Sequence, residues 1–236
     1  MLQTLLWAAA GTAFPFFMTA AGAAGVFLLP RVREQRVILG FSAGVMTAAS
    51  VWSLLLPAID RSEALGLPGW LPAAMGLLAG VLFLAAMEGR LSRGGTSLLS
   101  AAITLHNIPE GMAVGLAFAL AAGGEGLPGA MALAAGIGIQ NFPEGLAIAL
   151  PLREEGRLRA FRAGALSGAV EPAAGVLAAA LAAQTALFLP WLLSFAAGAM
   201  LDVVVEELIP QAHSRGGTCG FVTGFLVMMV LDVALG

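Results

Sequence analysis

Eight stretches of apolar residues, each long enough to cross a lipid bilayer, make up most of this 236-residue chain. A membrane-spanning helix needs about 20 mainly apolar residues. The eight windows lie at roughly 4–29, 37–57, 68–87, 97–122, 127–150, 160–184, 187–210 and 217–235. Only 11% of the residues are charged, against about 25% in an ordinary soluble domain. We therefore predict an all-α polytopic membrane protein with eight transmembrane helices, in which residues 1–236 form a single transmembrane domain.

The arginines predict how these helices are oriented in the membrane. The chain has no lysine, and ten of its eleven arginines lie in or beside the first, third, fifth and seventh loops between the apolar windows. The exception, Arg61, lies in the second loop. Because positively charged loops stay on the cytoplasmic side of a membrane, we predict that both termini are extracytoplasmic.

Two similar hexamers place polar residues in the middle of the fourth and fifth apolar windows: HNIPEG at 106–111 and QNFPEG at 140–145. Residues three and four apart share one face of a helix. Each hexamer therefore presents three polar side chains on one face: His106, Asn107 and Glu110 in the first copy, and Gln140, Asn141 and Glu144 in the second.

The prolines of the hexamers predict an interruption in each helix. Pro109 and Pro143 each remove one backbone hydrogen bond and push away the carbonyl four residues earlier. Because consecutive spans run in opposite directions, an approximate two-fold axis in the membrane plane relates the two hexamers. Secondary transporters bind their substrates where broken helices of such a pair meet at the midplane. We therefore predict a substrate site there.

The side chains of the hexamers indicate what this site binds. Imidazole nitrogen with carboxylate and amide oxygens suits a borderline divalent transition metal, Zn²⁺ first, with Fe²⁺, Mn²⁺ and Cd²⁺ as alternatives. Two carboxylates inside a membrane need a counter-charge, which a dication supplies. The alternative is that these residues only hydrogen-bond the helices together, and two aligned copies make that interpretation weaker.

The same residues carry a resemblance to a known family. HNIPEG followed by GIQNFPEG resembles the fourth and fifth helices of the ZIP (Zrt/Irt-like) divalent-metal transporters, and the pairing of His with Gln resembles the GufA-like branch. The segments at 40–59, 167–175 and 196–213 resemble the second, sixth and seventh helices. The resemblance implies a ZIP-type bundle of eight helices with both termini outside. It also implies metal flow into the cytoplasm through paired metal sites between helices four, five and six.

The resemblance also implies the ligands. The first metal site would consist of His106, Glu110, Gln140 and Glu144, and the second of Asn107, Asn141 and Glu171 with Glu110 and Glu144 bridging. Two positions depart from the commoner family pattern, since Gln140 replaces a His and Asn141 stands where an Asp can occur. Both changes replace a strong ligand by a neutral amide, so we expect weaker affinity or a relaxed preference among metals.

Further polar residues lie in the later windows. Glu171 precedes Pro172 near the middle of the sixth, where an uncompensated charge costs about 2.5 kcal/mol or more, so a cation partner is expected. Asp202, Glu206 and Glu207 lead along the seventh window towards His213. We interpret these four residues as an exit path; the alternative is a set of interfacial carboxylates beside Arg215.

One residue of the second window is a candidate for the outer entrance. Ser53 matches a family position near that entrance. The alternative is that its hydroxyl donates to the backbone of its own helix, as an isolated serine in an apolar helix commonly does.

Other function classes fit the sequence less well. An intramembrane metal-dependent hydrolase is the alternative function, but the chain has no H-E-x-x-H motif and its second histidine is distant. A structural scaffold leaves the buried carboxylates unexplained. We predict a transporter rather than an enzyme, with a divalent metal as substrate and no cofactor.

The composition also predicts where this transporter acts. Nothing indicates nucleic-acid binding, and the single cysteine, Cys219, excludes an internal disulfide. The first window lacks a preceding basic region, which predicts a retained span rather than a cleaved signal peptide. We expect an integral protein of the lipid bilayer, in a bacterial plasma membrane, with the oligomeric state left open, a homodimer included.

The orientation is testable with a reporter enzyme that is active only in the cytoplasm. Fused after Gly236, the reporter should be inactive, whereas the same reporter inserted between the third and fourth windows should be active. Strong activity after Gly236 would overturn the predicted orientation and the inward direction of transport.

Overall fold

The computed structural model describes residues 2–28, 35–93, 98–124, 126–149, 151–182 and 187–235. Within these ranges the side chains at 35, 88–93, 98–106, 143, 147, 151 and 235 are not described. All regular structure in the described ranges is helical. The α-helices are α1 (Leu2–Ala24), α2 (Gln35–Ala49), α3 (Leu56–Ala64), α4 (Trp70–Arg93), α5 (Leu98–Ala121), α6 (Leu127–Ala149), α7 (Arg157–Gly168), α8 (Val170–Ala182), α9 (Phe188–Val203), α10 (Ile209–Ala212) and α11 (Arg215–Leu235).

Several of these helices, or continuous runs of them, are long and apolar enough to cross a membrane. In the described part of the chain, six qualify: Leu2–Phe27, Arg36–Ala64, Trp70–Met87, Arg157–Ala182, Phe188–Ala212 and Arg215–Ala234. The prediction of an all-helical integral membrane protein is thereby confirmed. Helices α5 and α6, of 24 and 23 residues, contain the two hexamers. The total of eight spans, the orientation of the termini and the single-domain organisation stay predictions.

The helix interruptions lie elsewhere than the sequence predicted. Helix α5 runs through Pro109, and α6 is continuous from Leu127 to Ala149, so the prediction of broken helices at the hexamers is wrong. A proline within a membrane helix is tolerated where neighbouring helices and local adjustment satisfy the freed backbone groups. In the described part of the chain, the apolar run Arg157–Ala182 is interrupted at Ala169, between α7 and α8 and two residues before Glu171.

The apolar runs Arg36–Ala64 and Phe188–Ala212 each contain a short π-helical segment before a proline. Ser50–Leu55 links α2 to α3, and Val204–Leu208 links α9 to α10. The residue that follows each segment donates its N–H five residues back, Leu56 to Val51 and Ile209 to Val204. The next residue in each case is Pro57 or Pro210, which has no N–H to give the carbonyl four residues earlier. Each widened turn thus lies where a proline cannot supply the N–H group that the carbonyl four residues earlier would otherwise receive.

The helices form two groups that share one core. Helices α1, α5, α6, α7 and α8 pack mainly on one another, and α2, α3, α4, α9, α10 and α11 form the other group. Contacts of α5 with α9, and of α6 with α2 and α11, join the two. The hydrophobic core includes Val114 and Ile137 from the first group and Met46, Met200 and Met228 from the second.

The last residue of each hexamer is a glycine at a contact between two backbones. A Cβ on Gly111 of α5 would overlap the backbone of Glu171 in α8. A Cβ on Gly145 of α6 would overlap the carbonyl oxygen of Thr19 in α1. Small residues let membrane helices approach this closely. The two glycines therefore hold α5 against α8 and α6 against α1 at the level of the polar residues.

The same kind of contact between α2 and α11 gives a test of the packing. Gly220→Ala would drive a Cβ into the carbonyl oxygen of Val37, and such overpacking typically costs about 1–3 kcal/mol. We expect a lower unfolding temperature, although alanine favours a helix by about 1 kcal/mol over glycine.

The matched control is Gly216→Ala, one turn earlier on α11. Its Cβ would lie 3.1 Å from Cγ2 of Val37, a side-chain atom that can move aside. Thermal unfolding in detergent should show this variant at or above the wild-type temperature. Equal effects of the two substitutions would contradict the close contact of α2 and α11.

Candidate metal site

The polar side chains of the hexamers meet in a closed cluster between α5, α6 and α8. Its fully buried members are Asn107, Glu110, Gln140, Asn141 and Glu171, each with no exposed surface. Glu144 is half-buried, and its negative charge repels those of Glu110 and Glu171. The structure therefore brings together five of the seven residues that the sequence predicted as ligands, Glu110, Gln140, Asn141, Glu144 and Glu171. Asn107 is buried three residues before Glu110 on α5, on the same face of the helix. For the seventh, His106, the backbone lies in α5 and the side chain is outside the described part.

Two hydrogen bonds from amide to carboxylate organise this cluster. Gln140 donates from Nε2 to Oε1 of Glu110 at 2.7 Å, and Asn141 donates from Nδ2 to Oε1 of Glu171 at 3.0 Å. Both amides belong to α6, and the carboxylates belong to α5 and α8. The second hexamer thus reaches both neighbouring helices, and an N–H group occupies one oxygen of each carboxylate.

The remaining oxygens of these groups are buried, and no hydrogen bond to them is found among the described residues. They are Oδ1 of Asn107, Oε2 of Glu110, Oε1 of Gln140, Oδ1 of Asn141 and Oε2 of Glu171. A buried polar atom without a partner costs about 1–3 kcal/mol, and each such atom in a native structure calls for an explanation. Five oxygens in one cluster suit a cation, because a cation accepts several oxygen ligands at once.

The observed arrangement is not itself a closed coordination shell. Among the described side chains, no three of the types His, Cys, Asp or Glu converge closely enough to hold one ion. The amide N–H groups stand beside the carboxylates instead. An ion could reach Glu110 and Glu171 at their second oxygens, and the carbonyl oxygens of Gln140 and Asn141 could join them if each amide plane turned.

Glu171 is held from three sides. It lies in the first turn of α8, where the helix dipole favours a negative charge. Asn141 donates to its Oε1, and Thr19 of α1 lies with its hydroxyl oxygen 3.2 Å from the same atom. Sequence analysis missed Thr19, because nothing in the first window distinguishes it from Thr12, which is also buried.

Ser53, the candidate entrance residue, bonds to another helix. It donates to Oδ1 of Asp232 in α11 at 2.6 Å, whereas Thr47 and Ser50 of the same span donate to the carbonyl four residues earlier. The alternative of a bond to its own backbone is therefore not what the structure has. Ser53 and Asp232 line a cavity together with Asp60. Sequence analysis missed Asp232, although a carboxylate inside the last apolar window was a signal.

The candidate exit residues lie on the other group of helices. Asp202 is in α9, and its charge is repelled by those of Glu206 and Glu207 in the π-helical segment. Glu206 is exposed, whereas Asp202 and Glu207 are half-buried. His213 follows α10, is exposed and lines a separate groove between α2, α10 and α11. An exit path through these residues stays a prediction.

A bundle of helices that are long and apolar enough to cross a bilayer is the structure of an integral membrane protein. A sequence model of the ZIP zinc transporter family matches residues 90–232. The chain is 37% identical to zinc transporter ZIP11 of Xenopus tropicalis over 335 aligned positions, which cover 100% of this chain and 98% of the relative. It is 38% identical to zinc transporter GufA of Myxococcus xanthus, over 86% of this chain and 88% of the relative. It is also 38% identical to zinc transporter ZIPB of Bordetella bronchiseptica, over 98% and 82%. The chain therefore belongs to the ZIP zinc transporter family, a family of transporters rather than enzymes.

We predict that a double substitution in the cluster leaves the metal-free protein at least as stable as the wild type but removes its stabilisation by zinc. Glu110→Gln with Glu171→Gln removes two buried acidic groups, and a buried charge without a counter-charge destabilises the folded protein. A change of 1 kcal/mol in the free energy of unfolding shifts the unfolding temperature of a protein of this size by about 2–4 °C. The metal-free variant should therefore unfold at or a few degrees above the wild-type temperature. Zinc at 100 times its dissociation constant should stabilise the wild type by about 2.7 kcal/mol, and this stabilisation should be lost in the variant.

Thermal unfolding with and without Zn²⁺ measures both effects. Glu155→Gln is the control, since Glu155 is exposed and pairs with Arg159 at 3.0 Å on the surface. It should leave the zinc-dependent stabilisation unchanged. A double variant that zinc stabilises as strongly as the wild type would contradict binding at this cluster.

Proposed function

We propose that the chain carries divalent transition-metal ions, zinc first, into the cytoplasm through the cluster between α5, α6 and α8. This proposal is supported by the five buried oxygens that have no hydrogen-bond partner among the described residues. Two of them belong to the carboxylates of Glu110 and Glu171, and the carboxylate of Glu144 lies near both. Carboxylates at the depth of the membrane midplane are expensive without a counter-charge. Family membership supports zinc as the transported ion, and Fe²⁺, Mn²⁺ and Cd²⁺ are the alternatives that the oxygen-rich ligand set would accept.

The proposed ligands fall into two overlapping sets. His106, Glu110, Gln140 and Glu144 form the first, and Asn107, Asn141 and Glu171, with Glu110 and Glu144 bridging, form the second. The repulsion that Glu144 exerts on both Glu110 and Glu171 supports its bridging position. The complete burial of Asn107, together with its two side-chain atoms without a described partner, supports its place in the second set.

The hydrogen bonds of the cluster suggest how an ion enters and leaves. In the metal-free form, the amides of Gln140 and Asn141 partly compensate the charges of Glu110 and Glu171. An arriving dication replaces these N–H groups, and each amide turns its carbonyl oxygen towards the ion. When the ion departs, the amides return to the carboxylates. The carboxylates thus have partners in both forms of the site, the amide N–H groups without metal and the ion when it is bound. This keeps the free-energy difference between the two forms small and allows the ion to leave.

The proposed route has an outer and an inner end. Ser53 and Asp232 mark the outer end, where a carboxylate in a cavity can attract cations. Asp202, Glu206, Glu207 and His213 mark the exit. This direction assumes eight spans with both termini outside. The location in a bacterial plasma membrane and the formation of a homodimer stay predictions.

Zinc uptake by purified protein in liposomes tests the proposed function. A zinc indicator inside the vesicles should respond to external Zn²⁺ with the wild type. Glu144→Ala should abolish the response, because it removes a bridging carboxylate, while Glu155→Ala should leave it intact. Competition by Mn²⁺, Fe²⁺ and Cd²⁺ ranks the metals. A folded wild type that hydrolyses peptides in a metal-dependent manner and moves no zinc would instead favour the hydrolase.

We predict that the substitution Gln140→His changes the preference of the site among metals. The substitution replaces an amide oxygen by an imidazole, and nitrogen ligands favour zinc whereas oxygen ligands suit manganese. Zn²⁺ should therefore bind more tightly relative to Mn²⁺, while the maximal rate of uptake can fall because a tightly held ion leaves slowly. Unchanged preference and unchanged half-saturation concentration would assign Gln140 a structural role and leave His106, Glu110 and Glu144 to hold the metal.

A further inference from the structure

Thr19 of α1 lies directly behind the buried cluster. Its side chain is 1% exposed. Its hydroxyl oxygen lies 3.2 Å from Oε1 of Glu171 and 3.2 Å from the carbonyl oxygen of Pro15. A hydroxyl has one proton to donate, and a bond to an ionised acceptor is roughly twice as strong as one to a neutral acceptor. When Glu171 binds a cation its carboxylate is ionised, and it is then the favoured acceptor.

The two oxygens of Glu171 have different surroundings. Oε1 receives Asn141 at 3.0 Å in addition to Thr19, whereas Oε2 is buried and has no hydrogen-bond partner among the described residues. Two donors on one oxygen fix the orientation of the carboxylate. The other oxygen is thereby left for an ion.

The backbone around Thr19 shows that this position is built into the fold. The hexamer glycine Gly145 packs on the Thr19 carbonyl as Gly111 packs on the backbone of Glu171. Thr19 and Glu171 are therefore equivalent in one respect: the backbone of each packs against the last glycine of a hexamer, Gly145 in α6 and Gly111 in α5. A Cβ on Gly168, at the end of α7, would lie 2.9 Å from Cβ of Thr19 and 3.0 Å from both its Cγ2 and its hydroxyl oxygen, so a glycine there makes room for the whole Thr19 side chain.

We propose that Thr19 is a positioning residue for metal binding by Glu171. This inference rests on the proposed function. When an ion arrives and Asn141 turns its oxygen towards it, Thr19 is the donor that remains on Oε1 of Glu171. It then keeps the carboxylate aimed at the ion and strengthens it as a ligand. Loss of such a hydrogen bond to a metal ligand typically costs about 10–100-fold in affinity.

Three variants of the full chain test this role. Thr19→Val keeps the shape of the side chain and removes the hydroxyl, and Thr19→Ser keeps the hydroxyl. Thr12→Val is the matched control, since Thr12 is equally buried on the same helix and donates to the carbonyl of Ala8 at 2.7 Å. Zn²⁺ binding at equilibrium, by competition with a chelator, and the half-saturation concentration of uptake are measured for each. The unfolding temperature without metal shows whether each variant is folded.

Thr19→Val should raise both the zinc dissociation constant and the half-saturation concentration by about tenfold, the lower end of that range. Thr19→Ser and Thr12→Val should behave as the wild type. In a Glu171→Gln background, Thr19→Val should add no further loss, because its effect passes through Glu171. If Thr19→Val weakens binding no more than Thr12→Val, or weakens it equally without Glu171, the proposal is overturned while the transport function stands. A wild type that neither binds nor transports zinc would overturn both.

Discussion

Glu110 is buried near the middle of α5, and Glu171 is buried near the middle of the apolar run Arg157–Ala182. A charge without a partner at such a depth in a membrane costs about 2.5 kcal/mol or more. The amides of Gln140 and Asn141 bond to these carboxylates, so one helix, α6, supplies the compensation for two others. Because an amide offers both an N–H donor and a carbonyl acceptor, the same pair of side chains can serve the cluster with a cation and without one. In the proposed mechanism, this dual use suits a site that loads and unloads its ion.

The short hydrogen bonds of the cluster depend on close packing of backbones. Gly111 lets α5 approach Glu171, and Gly145 lets α6 approach Thr19. The interruption at Ala169 places Glu171 in the first turn of α8. The final glycine of each hexamer is therefore as much a part of the site as the polar residues before it, since a larger residue would separate the helices that the amides connect.

Hydropathy and helical spacing were sufficient to predict a helical chain and the polar face of each hexamer, because both follow from residues close together in sequence. The place of Glu171 beside the hexamers was implied by the family resemblance instead. The interruptions were not predictable in the same way. Pro57 and Pro210 follow widened turns, whereas helices α1 and α5 run unbroken through Pro15 and Pro109, so a proline in the sequence does not by itself show where a helix widens or breaks. Thr19 and Asp232 were missed for a related reason, since their partners Glu171 and Ser53 are 152 and 179 residues away in sequence. Contacts of that separation arise from the fold and leave no periodic signal.

In the proposed function, oxygen-rich ligands of α5, α6 and α8 bind the transported ion. X-ray absorption at the zinc edge of the zinc-loaded protein tests it most directly, because the method reports the ligand atoms around the metal. We expect a shell of oxygen and nitrogen ligands at about 2.0–2.2 Å, with at most one imidazole per zinc. A sulfur shell at about 2.3 Å, which would implicate Cys219, or the spectrum of fully hydrated zinc would contradict it.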